Sequence, residues 1–116
     1  MRRLLAAGAN VNAADERGHT PLHLAFKGQL EVCQVLVEAG ADVNAPNQYR
    51  RTPLHFAAYN ARVDLTQMLL GAGANVHALD FQGITPLDDA RRHPMPNENH
   101  PAIIALLQQA SEPLTK

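Results

Sequence analysis

DERGHTPLHLA, residues 15–25, carries the decisive signal, because its Thr-Pro-Leu core returns twice. Thr20-Pro21-Leu22 is followed by Thr52-Pro53-Leu54 and Thr85-Pro86-Leu87, at intervals of 32 and 33 residues. A second signature keeps the same period. Gly8-Ala9-Asn10-Val11, Gly40-Ala41-Asp42-Val43 and Gly73-Ala74-Asn75-Val76 are also spaced by 32 and 33. Two independent signatures at one period define an internal repeat, the first thing to seek in a chain.

Each signature has a mechanical meaning. Thr before Pro is a helix start: the hydroxyl caps a free backbone N–H, and Pro at the first helical position gives up no needed donor. Gly40 and Gly73 follow the helix-periodic stretches 30–38 and 63–71 and read as left-handed C-caps. Turn-prone segments, 44–47 and 77–80, join each cap to the next start. One period is therefore helix, turn, helix, then an extended finger ending in a tight turn. Ala25, Ala57, Ala58 and Ala90 let neighbouring helices approach, while Leu22, Leu36, Leu54, Leu69, Leu87 and Leu106 are the expected core. Such a unit cannot bury its own apolar face, so it is stable only when stacked.

DERGHTPLHLA, followed by a second helix and GADVNA at residues 40–45, resembles the ankyrin repeat. The resemblance runs from Met1 to about Gln109 and implies an all-α fold, an ankyrin-repeat solenoid of stacked helix-turn-helix units with extended finger loops. The whole chain, 1–116, reads as one domain: a half-repeat at 1–14, repeats at 15–46 and 47–79, a C-terminal capping repeat at 80–110, and a tail at 111–116. The expected total is seven helices, one leading helix and three pairs. Arg50 stands where Gly18 and Gly83 stand, so the central finger should hold an arginine at positive φ. Asp89 replaces the apolar Leu24 and Phe56 of the earlier repeats, as expected for an outward, solvated face. The last repeat also carries extra residues around His93–His100.

Composition narrows the function classes. The formal net charge is −1, without the basic excess that nonspecific nucleic-acid or anionic-membrane binding needs. No apolar run approaches the roughly 20 residues of a membrane span, and MRRLLAAGAN lacks the apolar stretch of a signal peptide. Cys33 is the only cysteine, so no internal disulfide forms; the expected setting is intracellular, cytoplasmic. Cys33 reads as a packing residue, not a reactive thiol.

Candidate chemistry resolves into architecture. His23 and His55 both follow Thr-Pro-Leu and read as histidines bonded to the finger backbone and helix cap. His93, Glu98 and His100 match no zinc spacing. Asp88, Asp89, Arg91, Arg92 and His93 read as a charged, solvated helix, not an acid–base pair. No nucleophile or phosphate-loop pattern occurs, so no catalytic residue, metal or cofactor is expected. The resemblance implies that Asn12 and Asn44 occupy a position open to hydroxylation, beside a turn-bonding role. It also implies that partners are held by finger tips and first helices. Those positions are Glu16, Arg17 and His19; Gln48, Tyr49 and Arg51; Phe81, Gln82 and Ile84; and, on the helices, Lys27, Tyr59, Asn60 and Arg91. Arg17, Lys27, Arg50, Arg51, Arg91 and Arg92 make this face basic, so the expected partner is a protein offering an acidic plus apolar segment. The alternative is a structural or self-associating piece of a longer array, joined through its N-terminal helix.

Overall fold

A computed structural model describes residues 11–25, 28–60, 62–92 and 100–111. The expected N-terminal helix, Lys27, the segment 93–99 and the tail after Ser111 lie outside the described residues. Among the described residues six helices run in order: α1 (Pro21–Leu24), α2 (Leu30–Glu38), α3 (Pro53–Tyr59), α4 (Val63–Gly71), α5 (Pro86–Arg91) and α6 (His100–Ser111). The short helices α1, α3 and α5 pack on one another as one layer, and α2, α4 and α6 form the second layer behind them. Three helix pairs thus stack as the repeat requires.

Each short helix starts at the Thr-Pro pair. Thr20, Thr52 and Thr85 are extended N-caps, and Pro21, Pro53 and Pro86 take the first helical position. The third helical residue closes the cap: His23 Nδ1, His55 Nδ1 and Asp88 Oδ2 accept the backbone N–H of Thr20, Thr52 and Thr85 at 3.0, 3.0 and 3.1 Å. The longer helices end as the glycines dictate. Gly40 N–H donates to Val37 O and Ala41 N–H to Leu36 O; Gly73 and Ala74 repeat this on Leu70 and Leu69. These paired bonds, with φ 99° and 97° at the glycines, are Schellman ends.

The fingers are built by one side chain each. Asp15 Oδ1 accepts the N–H of Arg17 and His19, Asn47 Oδ1 those of Tyr49 and Arg51, and Asp80 Oδ1 those of Gln82 and Ile84. The turn then needs a residue at positive φ. Gly18 and Gly83 supply it at 80° and 79°, and Arg50 adopts it at 64°. A side chain there costs roughly 1 kcal/mol. Replacing Arg50 by Gly should therefore raise stability, by about 0.5 kcal/mol once the greater freedom of unfolded Gly is counted; urea denaturation measures it, and a loss would show that the arginine side chain contributes contacts that outweigh the strain.

The core follows the expected small and large residues. Leu22, Leu36, Leu54, Leu69, Ala25, Ala57, Ala58, Ala90 and Cys33 are buried, and Leu87 is half-buried against them. Leu106 is a correction. It is only partly buried, whereas Ile103 and Leu107, one helical turn apart, are each 1% exposed. The extra residues before α6 obscure its register, so the face that turns inward was misjudged. Burial pushes the Cys33 thiol up to about 11, as expected of a packing residue.

Candidate functional site

The fingers and short helices share one face, and two grooves lie along it. The first, of about 870 Å³, is lined by finger residues 14–17 and 19 together with Leu24 and Phe56. The second, of about 620 Å³, is lined by Arg51, Gln82 and Ile84 from two fingers, by Phe56, Tyr59 and Asn60 from α3, and by Asp89 and Arg92 from the end of the chain's third repeat. Phe56 borders both, so they form one strip. On the fingers that contribute Arg51, Gln82 and Ile84, Tyr49 and Phe81 are 45% and 62% exposed, with ring centroids 5.8 Å apart. Their backbones are joined too: Phe81 N–H donates to Tyr49 O at 3.0 Å, as Gln48 N–H does to Arg17 O at 2.8 Å.

Histidines bolt one repeat to the next. With Nδ1 accepting the Thr N–H, the ring carries its proton on Nε2. His23 Nε2 donates to Arg51 O at 2.8 Å and His55 Nε2 to Ile84 O at 2.7 Å. Both sequence expectations for these residues hold. Asp88 keeps the cap but has no second nitrogen to reach onward. Asn12 and Asn44 make a parallel seam: Asn12 Oδ1 accepts Asp42 N–H and its amide donates to Gly40 O, and Asn44 does the same with Asn75 and Gly73. The amides are thus inter-repeat ties.

Asp89 is the largest departure from the sequence reading. It is not on a solvated outer face but 6% exposed in the second groove. Arg51 accounts for it: Nη1 donates to Asp80 Oδ2 and Nη2 to Asp89 Oδ2, both at 2.7 Å. One guanidinium therefore serves two carboxylates, whose side chains are 1% and 8% exposed. Burial pushes Asp80 up, but the N–H groups of Ile84 and Gln82 and then Arg51 together hold it below the ordinary 3.8. Asp89 has no such backbone donors. Burial pushes it up to about 6, and the pull of Arg51 does not offset that with Asp80 alongside.

The remaining expected contacts divide. Glu16, Arg17, Gln48, Tyr49, Phe81 and Gln82 are exposed on the fingers, and Tyr59 and Asn60 are exposed on α3. Ile84 is half-buried and lines the second groove. His19 and Arg51 line the two grooves but are engaged within the protein. His19 is partly buried, accepts a bond from the Asn47 amide at 3.2 Å, and stacks edge-on with His23 and Phe56; it is a spacer between fingers. Arg51 lines the groove with its guanidinium already committed. Arg91 is exposed, yet its neighbour Arg92 is the one that lines the groove. Leu24, Phe56 and Arg92 were missed as groove residues. The signal was present, because Leu24, Phe56 and Asp89 occupy one column of the repeat, a column facing the groove. Among the described residues, no group of three His, Cys, Asp or Glu is placed to hold a metal ion, and no helix is long and apolar enough to cross a membrane.

Titration of this face has opposing signs. Burial lowers His23 and His55 from 6.5, so the stability they contribute is complete above about 6.5 and is lost as pH falls toward their folded values. Asp89, raised, favours the fold at low pH, and that contribution is lost as pH rises through about 6. The two partly cancel between pH 5 and 6.5. Asp89→Asn should therefore steepen the acid loss of stability over that interval, measured by urea midpoints across pH; an unchanged slope would mean that Asp89 titrates near its ordinary value.

Two family models match the chain: ankyrin repeats (many copies) over residues 36–90 and the ankyrin repeat over residues 17–48. Comparison with curated proteins finds no match. Together with the stacked helix pairs and capped Thr-Pro starts, the family matches settle its class: the chain belongs to the ankyrin repeat family. Ankyrin repeats are in general protein–protein interaction modules, and proteins built from them are typically not enzymes.

Proposed function

We propose that this protein binds another protein along the strip formed by its fingers and short helices, without catalysing a reaction. The observation that carries the reading is the exposed aromatic pair Tyr49 and Phe81, on the two fingers whose Arg51, Gln82 and Ile84 line the second groove. Exposed aromatics on a rigid frame bring large contact area at low entropic cost, and Tyr is enriched at binding hot spots. The partner segment offers an apolar anchor for these rings and an acidic residue for the rim cations. Arg17 and Arg50, exposed on the tips, serve as those cations at the rim, while in the unbound protein Arg51 is held by Asp80 and Asp89. The single cysteine supports a cytoplasmic setting.

Tyr49→Ala combined with Phe81→Ala is expected to weaken partner binding at least tenfold, chiefly through faster dissociation, with an unchanged urea midpoint. Arg50→Ala should instead slow association and flatten its salt dependence. Surface plasmon resonance separates the two rates. Full affinity in the double variant would sink this face as the site, and the groove of about 460 Å³ on the second helices, bordered by Gln34, Val37 and Met68, would take its place.

A further inference from the structure

The column of Leu24, Phe56 and Asp89 gives the first two repeats an apolar side chain against the grooves and the third a carboxylate. Arg51 already has a full counter-charge in Asp80, whose other oxygen is locked into its own finger turn by the N–H groups of Gln82 and Ile84. Asp89 is different. Among the described residues, the hydrogen bond its carboxylate makes is the one to Arg51 Nη2. It is the exchangeable partner of a guanidinium that lines a groove, and Arg92 borders the same groove. We propose that the Asp89 carboxylate is an internal stand-in for an Asp or Glu of the partner: the partner's carboxylate enters the second groove, takes the Nη2 edge of Arg51 together with Arg92, and Asp89 binds a proton as it is displaced. This rests on the reading of the finger and short-helix strip as the binding face.

The proton follows from charge. With Asp80 fixed, a third carboxylate cannot join the other two beside two cations without like-charge repulsion, and the least well solvated and least bonded one protonates. That one is Asp89, which burial has already brought to about 6. The groups facing it are Arg51 and Asp80 from the fingers and Arg92 from its own repeat; Asp88 precedes it in sequence, and His55 of α3, which burial keeps neutral further into acid, faces the same Arg51 and Asp80. His19 stands across the Phe56 ring. Binding therefore couples to proton uptake, and affinity for an acidic segment rises as pH falls, opposite to the trend produced by titrating the ligand's own carboxylate.

A displayed library of random peptides, panned against the whole protein at mildly acid pH, supplies the probes. Selected peptides should carry Asp or Glu and lose binding when it is changed to Asn or Gln. Their affinity should rise about twentyfold from pH 7.5 to pH 5, as linkage to a single proton requires. Calorimetry in two buffers of different ionisation enthalpy should count uptake approaching one proton per complex near neutral pH. Asp89→Asn should bind more tightly at pH 7.5 with a flat pH profile; if that variant does not fold, the proton count on the unmodified protein decides alone. Peptides that bind without proton uptake, yet are lost on changing Tyr49 and Phe81 to Ala, overturn the inference and leave the binding face standing. Failure to select any peptide, or peptides indifferent to Tyr49 and Phe81, overturns both.

Discussion

Replacing Arg51 by Ala should lower the unfolding free energy by about 3 kcal/mol at neutral pH, with the loss shrinking toward pH 5. Removing one partner of a buried ion pair typically costs about 3–5 kcal/mol, because the other charge is left buried without compensation. Here two carboxylates would be stranded, Asp80 and Asp89, each at least nine-tenths buried. The low end of the range applies for two reasons: the Arg51 side chain is 22% exposed, and Asp89 relieves part of the penalty by taking a proton. That relief gives the pH dependence its sign. By pH 5 Asp89 is mostly neutral in the folded protein, so only Asp80 is orphaned. Arg51→Lys should fall between, since an ammonium cannot span both carboxylates in the fork geometry of a guanidinium. Urea denaturation at pH 7.5 and 5 decides the matter; a loss under about 1 kcal/mol at both would mean that water reaches these carboxylates freely.

His55→Ala is expected to cost a similar amount, about 3 kcal/mol, by another route. The ring is fully buried. Its loss strands the Thr52 N–H inside its repeat and the Ile84 carbonyl in the next, and leaves a void between them. Asp88→Ala is the internal control. Asp88 caps Thr85 in the same way but makes no onward bond among the described residues, so its removal should cost about 1 kcal/mol, the ordinary worth of a cap. The difference between the two variants contains the inter-repeat bond together with the void that the buried ring leaves. Equal losses would show that the histidine acts only as a cap.

Nearly all of the architecture was legible in residues 15–25 and their echoes, because a capped helix start and a glycine helix end are local events. Thr, Pro and Gly act within a few positions of themselves. The site was less legible because it is assembled across repeats. Nothing local to Asp89 announces that Arg51, 38 residues earlier, has a free edge to offer it; the polar residue at an apolar position was visible, its partner was not. Arg91 and Arg92 show the same limit at finer grain, since a helix of six residues leaves the facing side ambiguous by one position. Leu106 was misjudged because the segment after Arg92 breaks the period that located every earlier helix.

The two described seams between repeats are not equal. Both have a histidine bolt and a finger-to-finger backbone bond, and the seam between the first and second repeats adds the exposed Asn44 tie. Only the seam between the second and third repeats adds the ionic clamp through Arg51. In a solenoid, where each unit holds only its neighbours, cooperativity is set seam by seam. The second and third repeats should therefore behave as one cooperative unit, and the first as a separable one that can open at lower cost. The groove with Asp89 lies in the tightly coupled unit, while the groove beside Leu24 spans the weaker join. A ligand filling that first groove would act as a splint, and its binding would be felt as a gain in cooperativity of the whole stack.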